Sequence, residues 1–213
     1  MDASLKSIPL NKENIYNIFN EILNIELNDN INFEILDIKD IRSEDEYGGF
    51  RINVLGKFEK LKVNMFIEVS TGDIITPKEI EYKYNCIFEN KKISIFAYTV
   101  ETIIAEKFET IITRSILNTR LKDFYDFYVL FNKEINKDKI LDAVKNTFTY
   151  RETLIDTQNF RNVINLIEND NFMNNNWLKY SKKYIYAKDI DFGSIIHKLN
   201  ELIDILEEMY TIV

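Results

Sequence analysis

Residues 100–131, VETIIAEKFETIITRSILNTRLKDFYDFYVLF, read as two helices joined by a short turn. Val100, Ile103, Ile104, Phe108, Ile111 and Ile112 recur at helical spacing and mark one buried stripe. Thr99 is the expected N-cap, and Glu101 sits in the first turn, where the helix dipole favours a negative charge. Lys107 interrupts the stripe. An ammonium there must snorkel outward or meet an anion, because an unpaired buried charge is costly.

The second helix offers the anions. Thr119 is the expected cap, Arg120, Lys122, Asp123 and Asp126 fill the first two turns, and Phe124, Tyr125, Phe127, Tyr128, Leu130 and Phe131 complete the helix. Asp123 and Asp126 are three apart and share a face. An antiparallel pairing of the two helices brings that face towards Lys107. Two readings stay open at this point: a structural salt bridge, or a polar site built at a helix junction.

Upstream of this pair the pattern changes to strands. Phe50, Ile52 and Val54 alternate with polar residues, and Gly56 with the charges after it predicts a hairpin into Leu61, Val63, Met65, Ile67 and Val69. Lys62, Asn64, Phe66, Glu68 and Ser70 take the opposite face. Glu68 stands near the strand end, just before the turn Ser70–Asp73, where a carboxylate is placed to serve a cleft; the alternative is an exposed residue on a one-sided sheet. Before the hairpin lie an extended start up to Pro9, a helix carrying Ile15, Ile18, Phe19, Ile22 and Leu23 with Asn11 as cap, a strand from Phe33 to Ile38, and an acidic turn in which Gly48 and Gly49 are free to take positive φ. After it, strands fit Tyr82, Tyr84, Cys86 and Phe88, then Ile93 to Ala97.

Beyond residue 131 every apolar pattern is helical. Ile140, Leu141, Val144 and Phe148 make one stripe, and Phe160, Val163, Ile164 and Ile167 another. The polar stretch NDNFMNNN (169–176) reads as a connector, with Trp177 and Tyr180 packing on the bundle after it. A last helix from near Asp191 turns Ile195, Ile196, Leu199, Leu202, Ile203, Leu206 and Met209 inward, with His197 beside that stripe as a surface residue. The elements therefore change character near residue 98, which predicts an α+β chain: a sheet with one helix over 1–98, and a helical domain over 99–213.

Composition narrows the function classes. At 213 residues, with 46% apolar and 13% aromatic side chains, the chain can bury a proper core. Five glycines and two prolines favour long helices and strands over a loop-rich fold. The 35 acidic against 27 basic residues (net −8) argue against broad, non-specific nucleic-acid binding, though not against a local basic pocket. A lone Cys86 makes no internal disulfide, so a reducing cytoplasm is the simplest expectation. No apolar run reaches membrane-spanning length, and the start carries no signal-peptide pattern. Zinc spacings, phosphate-cradling glycine loops and nucleophile motifs are absent from the sequence.

The run KVNMFIEVSTGDIITP (62–77) and the later VETIIAEKFETIITRSILNTRLKDFYDFY (100–128) resemble the AbiEii/AbiGii toxin family of nucleotidyltransferase-like proteins. The resemblance extends from about Asp2 to the C-terminal helix, and its most specific parts are the STGD-I-TP turn and the AEK…R-x-K-D-x-x-D pair. It implies a partial nucleotidyltransferase-like mixed sheet, a palm of the DNA polymerase β type, followed by a C-terminal helical bundle. It also implies a bacterial toxin, in a toxin–antitoxin pair or in abortive phage infection, that moves a nucleotide from a nucleoside triphosphate to an RNA acceptor such as tRNA with Mg²⁺.

The same resemblance suggests roles for residues. Glu68 occupies the place of the third metal-binding acid, where relatives usually show Asp; Asp2 stands where the second acid of an upstream Asp-x-Asp pair would. Lys107 would neutralise triphosphate charge, and Asp123 would orient it or take the acceptor proton, with Asp126 in support. Arg120 and Lys122 would touch phosphate or pair with those acids, and Asp73 would hold its turn or contact nucleotide. Relatives carry a Gly-Gly-Ser/Thr segment and the Asp-x-Asp pair ahead of the region where this chain starts. The expectation is thus a chain lacking that motif, and the alternative function is an inactive member that binds nucleotide, a cognate antitoxin or itself.

Overall fold

A computed structural model describes residues 2–5, 8–41, 49–70, 75–76, 78–87 and 90–210, with backbone alone at 2, 209 and 210. It is an α+β structure whose chain divides into two compact units, Met1–Asp73 and Ile74–Val213. The change of element type near residue 98 and this division are different boundaries. Between them lies a two-stranded hairpin that belongs to the second unit.

In the first unit, β1 (Asp2–Ser4), β4 (Leu61–Ser70), β3 (Gly49–Phe58) and β2 (Ile31–Ile41) lie side by side in that order. β1 runs parallel to β4 and the other pairs are antiparallel, so the sheet is mixed. The β3–β4 hairpin closes through Glu59 and Lys60, with Glu59 at φ 50°. Gly56 is therefore a strand residue, two positions short of the turn.

Gly49 is likewise not in a turn with positive φ. It opens β3, and a Cβ there would meet the Val69 carbonyl at 3.0 Å and Ile41 at 3.2 Å, so glycine permits the close approach of three strands. Gly48 and the rest of the acidic turn lie outside the described residues.

A register shift between Ile35 and Asp37 switches the inward positions of β2 from Phe33 and Ile35 to Ile38, leaving Leu36 half exposed. Helix α1 (Lys12–Leu23) starts at Asn11, whose side chain accepts from the Asn14 amide at 2.8 Å. It buries Ile15 and Phe19 against Ile52, Val54 and Val69. Ile22 is half exposed, because a 12-residue helix of about 18 Å covers only part of the sheet. For the same reason burial along β4 sets in only at Ile67 and Val69.

The second unit holds β5 (Ile80–Asn85) and β6 (Lys92–Ala97) as a separate antiparallel hairpin, then α2 (Val100–Arg114), α3 (Leu121–Phe131), α4 (Lys137–Tyr150), α5 (Thr157–Asn169), α6 (Asn171–Lys183) and α7 (Phe192–Tyr210). Phe88, assigned by pattern to the first of these strands, lies outside the described residues. The core gathers around Phe108, which is fully buried and meets Phe160 edge-on at 5.5 Å, Phe148 at 5.8 Å and Phe127 at 6.2 Å. Ile195, Ile196, Leu199, Leu202, Ile203 and Leu206 close it from α7 as expected, while the Met209 side chain lies outside the described residues.

The stretch 169–176 corrects the sequence reading. From Asn171 on it is the start of α6, not a connector. Asp170 ends α5 and caps α6, accepting from the Met173 amide at 2.7 Å, and buried Met173 and Trp177 anchor the helix one turn apart. Ser181 is buried one turn further on, and Tyr180 packs against the same core.

A candidate nucleotide-transfer site

Helix α2 begins where Thr99 accepts from the Thr102 amide at 3.2 Å, and both hydroxyls reach the carbonyl of buried Thr76, at 3.1 Å and 2.7 Å. Asn146 of α4 donates to the Thr76 hydroxyl at 3.1 Å. The end of the STGD-I-TP motif is thereby tied to the first turn of α2. The sequence marked the motif without disclosing this tie. Asp73 itself lies outside the described residues.

Two turns further along α2, Lys107 Nζ donates to Asp123 Oδ1 of α3 at 2.6 Å, a short charge-assisted bond. The Asp123 side chain is 8% exposed and that of Lys107 28%. The carboxylate is thus held inside while part of the ammonium reaches solvent. An ammonium has three donors, and Asp123 takes one of those of Lys107. The remaining donors are what an anionic ligand would find.

Asp126 does not join this pair. Both of its oxygens accept from Lys122, at 2.8 Å and 2.6 Å, in an i, i+4 bridge along α3. That proximity on one helix outcompetes a reach across to α2. Arg120 is exposed at the helix entry, and the expected Thr119 cap is absent: Asn118 Oδ1 accepts the Arg120 amide at 2.9 Å instead. An asparagine one residue earlier serves the turn, because its amide oxygen reaches two residues on.

In the first unit, β1 and β4 bring Asp2 and Glu68 into register as partners on neighbouring parallel strands. Glu68 is also opposite Arg51 on β3, whose Nε donates to Glu68 Oε1 at 2.9 Å and whose Nη2 donates to the same oxygen. Arg51 in turn lies 4.8 Å over the Phe66 ring. Among the described residues no group of three His, Cys, Asp or Glu side chains gathers as a metal site would require.

Two further arrangements escaped the sequence reading. Buried Glu109 of α2 accepts from Arg151 at 2.7 Å and from Thr153 at 2.8 Å, pinning α2 to the segment after α4. A groove of about 430 Å³ at the start of α7 is lined by Tyr128, Asp191, Gly193, Ser194, His197 and Lys198. None of the predicted site residues lines it. No described helix is long and apolar enough to cross a membrane.

The model of the family described as "Nucleotidyl transferase AbiEii toxin, Type IV TA system" matches residues 1–198. Among solved structures, a protein of H. pylori proposed to be a nucleotidyltransferase aligns at 12% identity and TM-score 0.42, covering 85% of this chain and 70% of its own. JHP933 from Helicobacter pylori aligns at 14% identity and TM-score 0.40, covering 84% and 67%. No curated protein matches the chain.

Proposed function

The chain belongs to the family of AbiEii nucleotidyltransferase toxins of type IV toxin–antitoxin systems, and we propose on that basis that it transfers a nucleotide from a nucleoside triphosphate to an RNA acceptor such as tRNA. The family match over residues 1–198 is the observation that carries this reading. The Lys107–Asp123 pair supplies its residues. In the reaction an acceptor hydroxyl oxygen bonds to the α-phosphorus, the bond to the β-phosphate oxygen breaks, and pyrophosphate leaves with the hydroxyl proton passing to solvent or a base.

Lys107 serves as a point cation on the triphosphate, where negative charge must be offset in a site with little water. Asp123 is a positioning residue. It is buried and its Oδ1 is engaged by Lys107, which supports orientation of the ammonium over direct proton abstraction. Arg120 and Lys122, both exposed on α3, are the further cations available to phosphate.

Mg²⁺ belongs to this proposal. Glu68 and its register partner Asp2 are the residues that would hold it, and Mg²⁺ is commonly bound through one or two carboxylates with water and substrate phosphate completing the shell. When bound it polarises the phosphate under attack. The proposed setting is the bacterial cytoplasm, in a pair with a cognate antitoxin and in defence against phage.

Incubation with each α-labelled nucleoside triphosphate, Mg²⁺ and total tRNA tests the reading. Label on RNA is expected, lost in Lys107→Ala and sharply reduced in Asp123→Asn. Equal transfer by both variants removes the assigned site, and no transfer with any nucleotide removes the reaction. A second reading has one observation in its favour, the occupation of Glu68 by Arg51: an inactive member that binds nucleotide, antitoxin or a second copy of itself. Nucleotide that raises the melting temperature without label transfer supports that reading.

A further inference from the structure

We propose that the segment 177–188, WLKYSKKYIYAK, together with Tyr125 of α3, forms a binding surface for single-stranded nucleic acid. The inference rests on the RNA-acceptor reading above for which strand is meant, and on the second unit alone for its geometry.

The rings form a graded series. Trp177 is 3% exposed, fixed by donation of its Nε1 to the Ile190 carbonyl at 3.0 Å, and stacks on Tyr180 at 5.4 Å. Tyr180 meets Tyr184 at 4.7 Å, and Tyr184 stacks on Tyr186 at 5.4 Å with 22° between planes. Tyr186 also meets Tyr125 at 4.6 Å and is 47% exposed. The hydroxyls of Tyr180 and Tyr186 hydrogen-bond at 3.0 Å, which fixes the outer ring relative to the inner one. Tyr186, held by Tyr125, Tyr180 and Tyr184 yet half exposed, is a rigid ring against whose open part a base can pack at little entropic cost.

The charges match the rings. Lys179, Lys182, Lys183 and Lys188 are all exposed, and no acid lies between Trp177 and Lys188. Among the described residues none of the four pairs with a carboxylate; Lys183 sits 5.1 Å over the Tyr184 ring instead. Four lysines in twelve residues without an acid among them make a local positive segment in a chain of net charge −8. A ligand that presents flat rings and a negative backbone together uses both features, and a nucleic-acid strand does so.

Position adds a third argument. Tyr125, whose ring meets Tyr186 at 4.6 Å, lies on α3 directly before Asp126. Asp123, one turn back on α3, holds Lys107. The surface therefore borders the helix that carries the proposed site.

The test uses the full chain and a fluorescein-labelled 12-mer of uridine, followed by anisotropy from 50 to 200 mM KCl. Wild type is expected to bind with an affinity that falls linearly on a log–log plot. Lys182→Ala combined with Lys183→Ala flattens the slope by about 1.4, at about 0.7 for each phosphate no longer neutralised. Tyr186→Ala weakens binding about tenfold and leaves the slope unchanged. All three side chains lie on exposed positions, and circular dichroism verifies that the variants fold.

Variants that bind like wild type, absence of binding at 50 mM, or preference for anionic vesicles over the oligonucleotide overturns the surface. The transfer assay keeps the two proposals apart. A wild type that binds the 12-mer through these residues yet transfers no label overturns only the reaction. Intact transfer with variants equal to wild type in binding overturns only the surface.

Discussion

Lys107 on α2 and Asp123 on α3 meet at 2.6 Å, with the carboxylate nearly sealed from water and the ammonium partly open to it. That asymmetry separates the partners. The buried acid depends on the cation for compensation, whereas the cation has, among the described residues, further donors beyond the one Asp123 takes.

Removing the cation should therefore cost more than removing the acid. Lys107→Ala strands a buried carboxylate and is expected to destabilise the second unit by about 1–3 kcal/mol, while Asp123→Asn keeps a polar acceptor and costs less. Replacing both, with Lys107→Met and Asp123→Leu, should recover most of the loss while leaving nucleotide transfer abolished. Urea unfolding of the three variants checks the order, and a double variant as unstable as Lys107→Ala contradicts the account.

Phe108→Ala is expected to cost about 3–5 kcal/mol, more than the loss of Lys107, because it empties the point where Phe127, Phe148 and Phe160 converge. Chemical denaturation followed by circular dichroism reads it through the helical signal. A loss under about 1 kcal/mol would mean that the neighbouring rings collapse into the space.

Arg51 competes with any cation for Glu68. Arg51→Gln should tighten Mn²⁺ binding severalfold by removing a positive neighbour, and Glu68→Gln should weaken it. Titration calorimetry with Mn²⁺ measures both without reference to activity. If Arg51→Gln leaves the affinity where it was, Glu68 is not a metal ligand.

Asp191 gives the chain a defined acid sensitivity. Its carboxylate accepts from the Ser194 hydroxyl and from the Ser194 amide at 2.8 Å, and these bonds hold its pKa below the ordinary aspartate range of about 4. A depressed carboxyl contributes stability that is complete above the unfolded value and disappears as pH falls through the folded one. Asp191→Ala should thus cost about 1 kcal/mol at neutral pH, with the gap to wild type narrowing below about pH 4. Thermal melts of both proteins between pH 7 and pH 3 follow the gap, and a constant difference over that range speaks against the cap.

How far the sequence reached depends on the range of each interaction. Asn11 and Thr99 cap their helices as the local pattern implied, and the last helix starts beside Asp191, whose carboxylate accepts the Ser194 amide three residues on. The Phe50–Val54 alternation and the α7 stripe encode which side is buried, because period alone assigns a face. Where two short-range solutions compete, pattern fails: Asn118 displaced Thr119 at the entry to α3, and Lys122 claimed Asp126 before Lys107. The start of α6 was hidden for a different reason, since Asn-rich composition argues for a loop until Met173 and Trp177 are seen to be buried.

By itself the sequence determined most element types, the buried faces of β3, α2 and α7, the family and the odd lysine on an apolar stripe, because each is set by spacing along one segment. Only the tertiary structure decided that Asp123 rather than Asp126 answers Lys107, that Arg51 holds Glu68 beside Asp2, and that scattered tyrosines from α3, α6 and residues 184–186 form one ring series. Those are choices among partners far apart in the chain. They are settled by which side chains the packed backbone brings within a few ångströms, and no local periodicity carries that information.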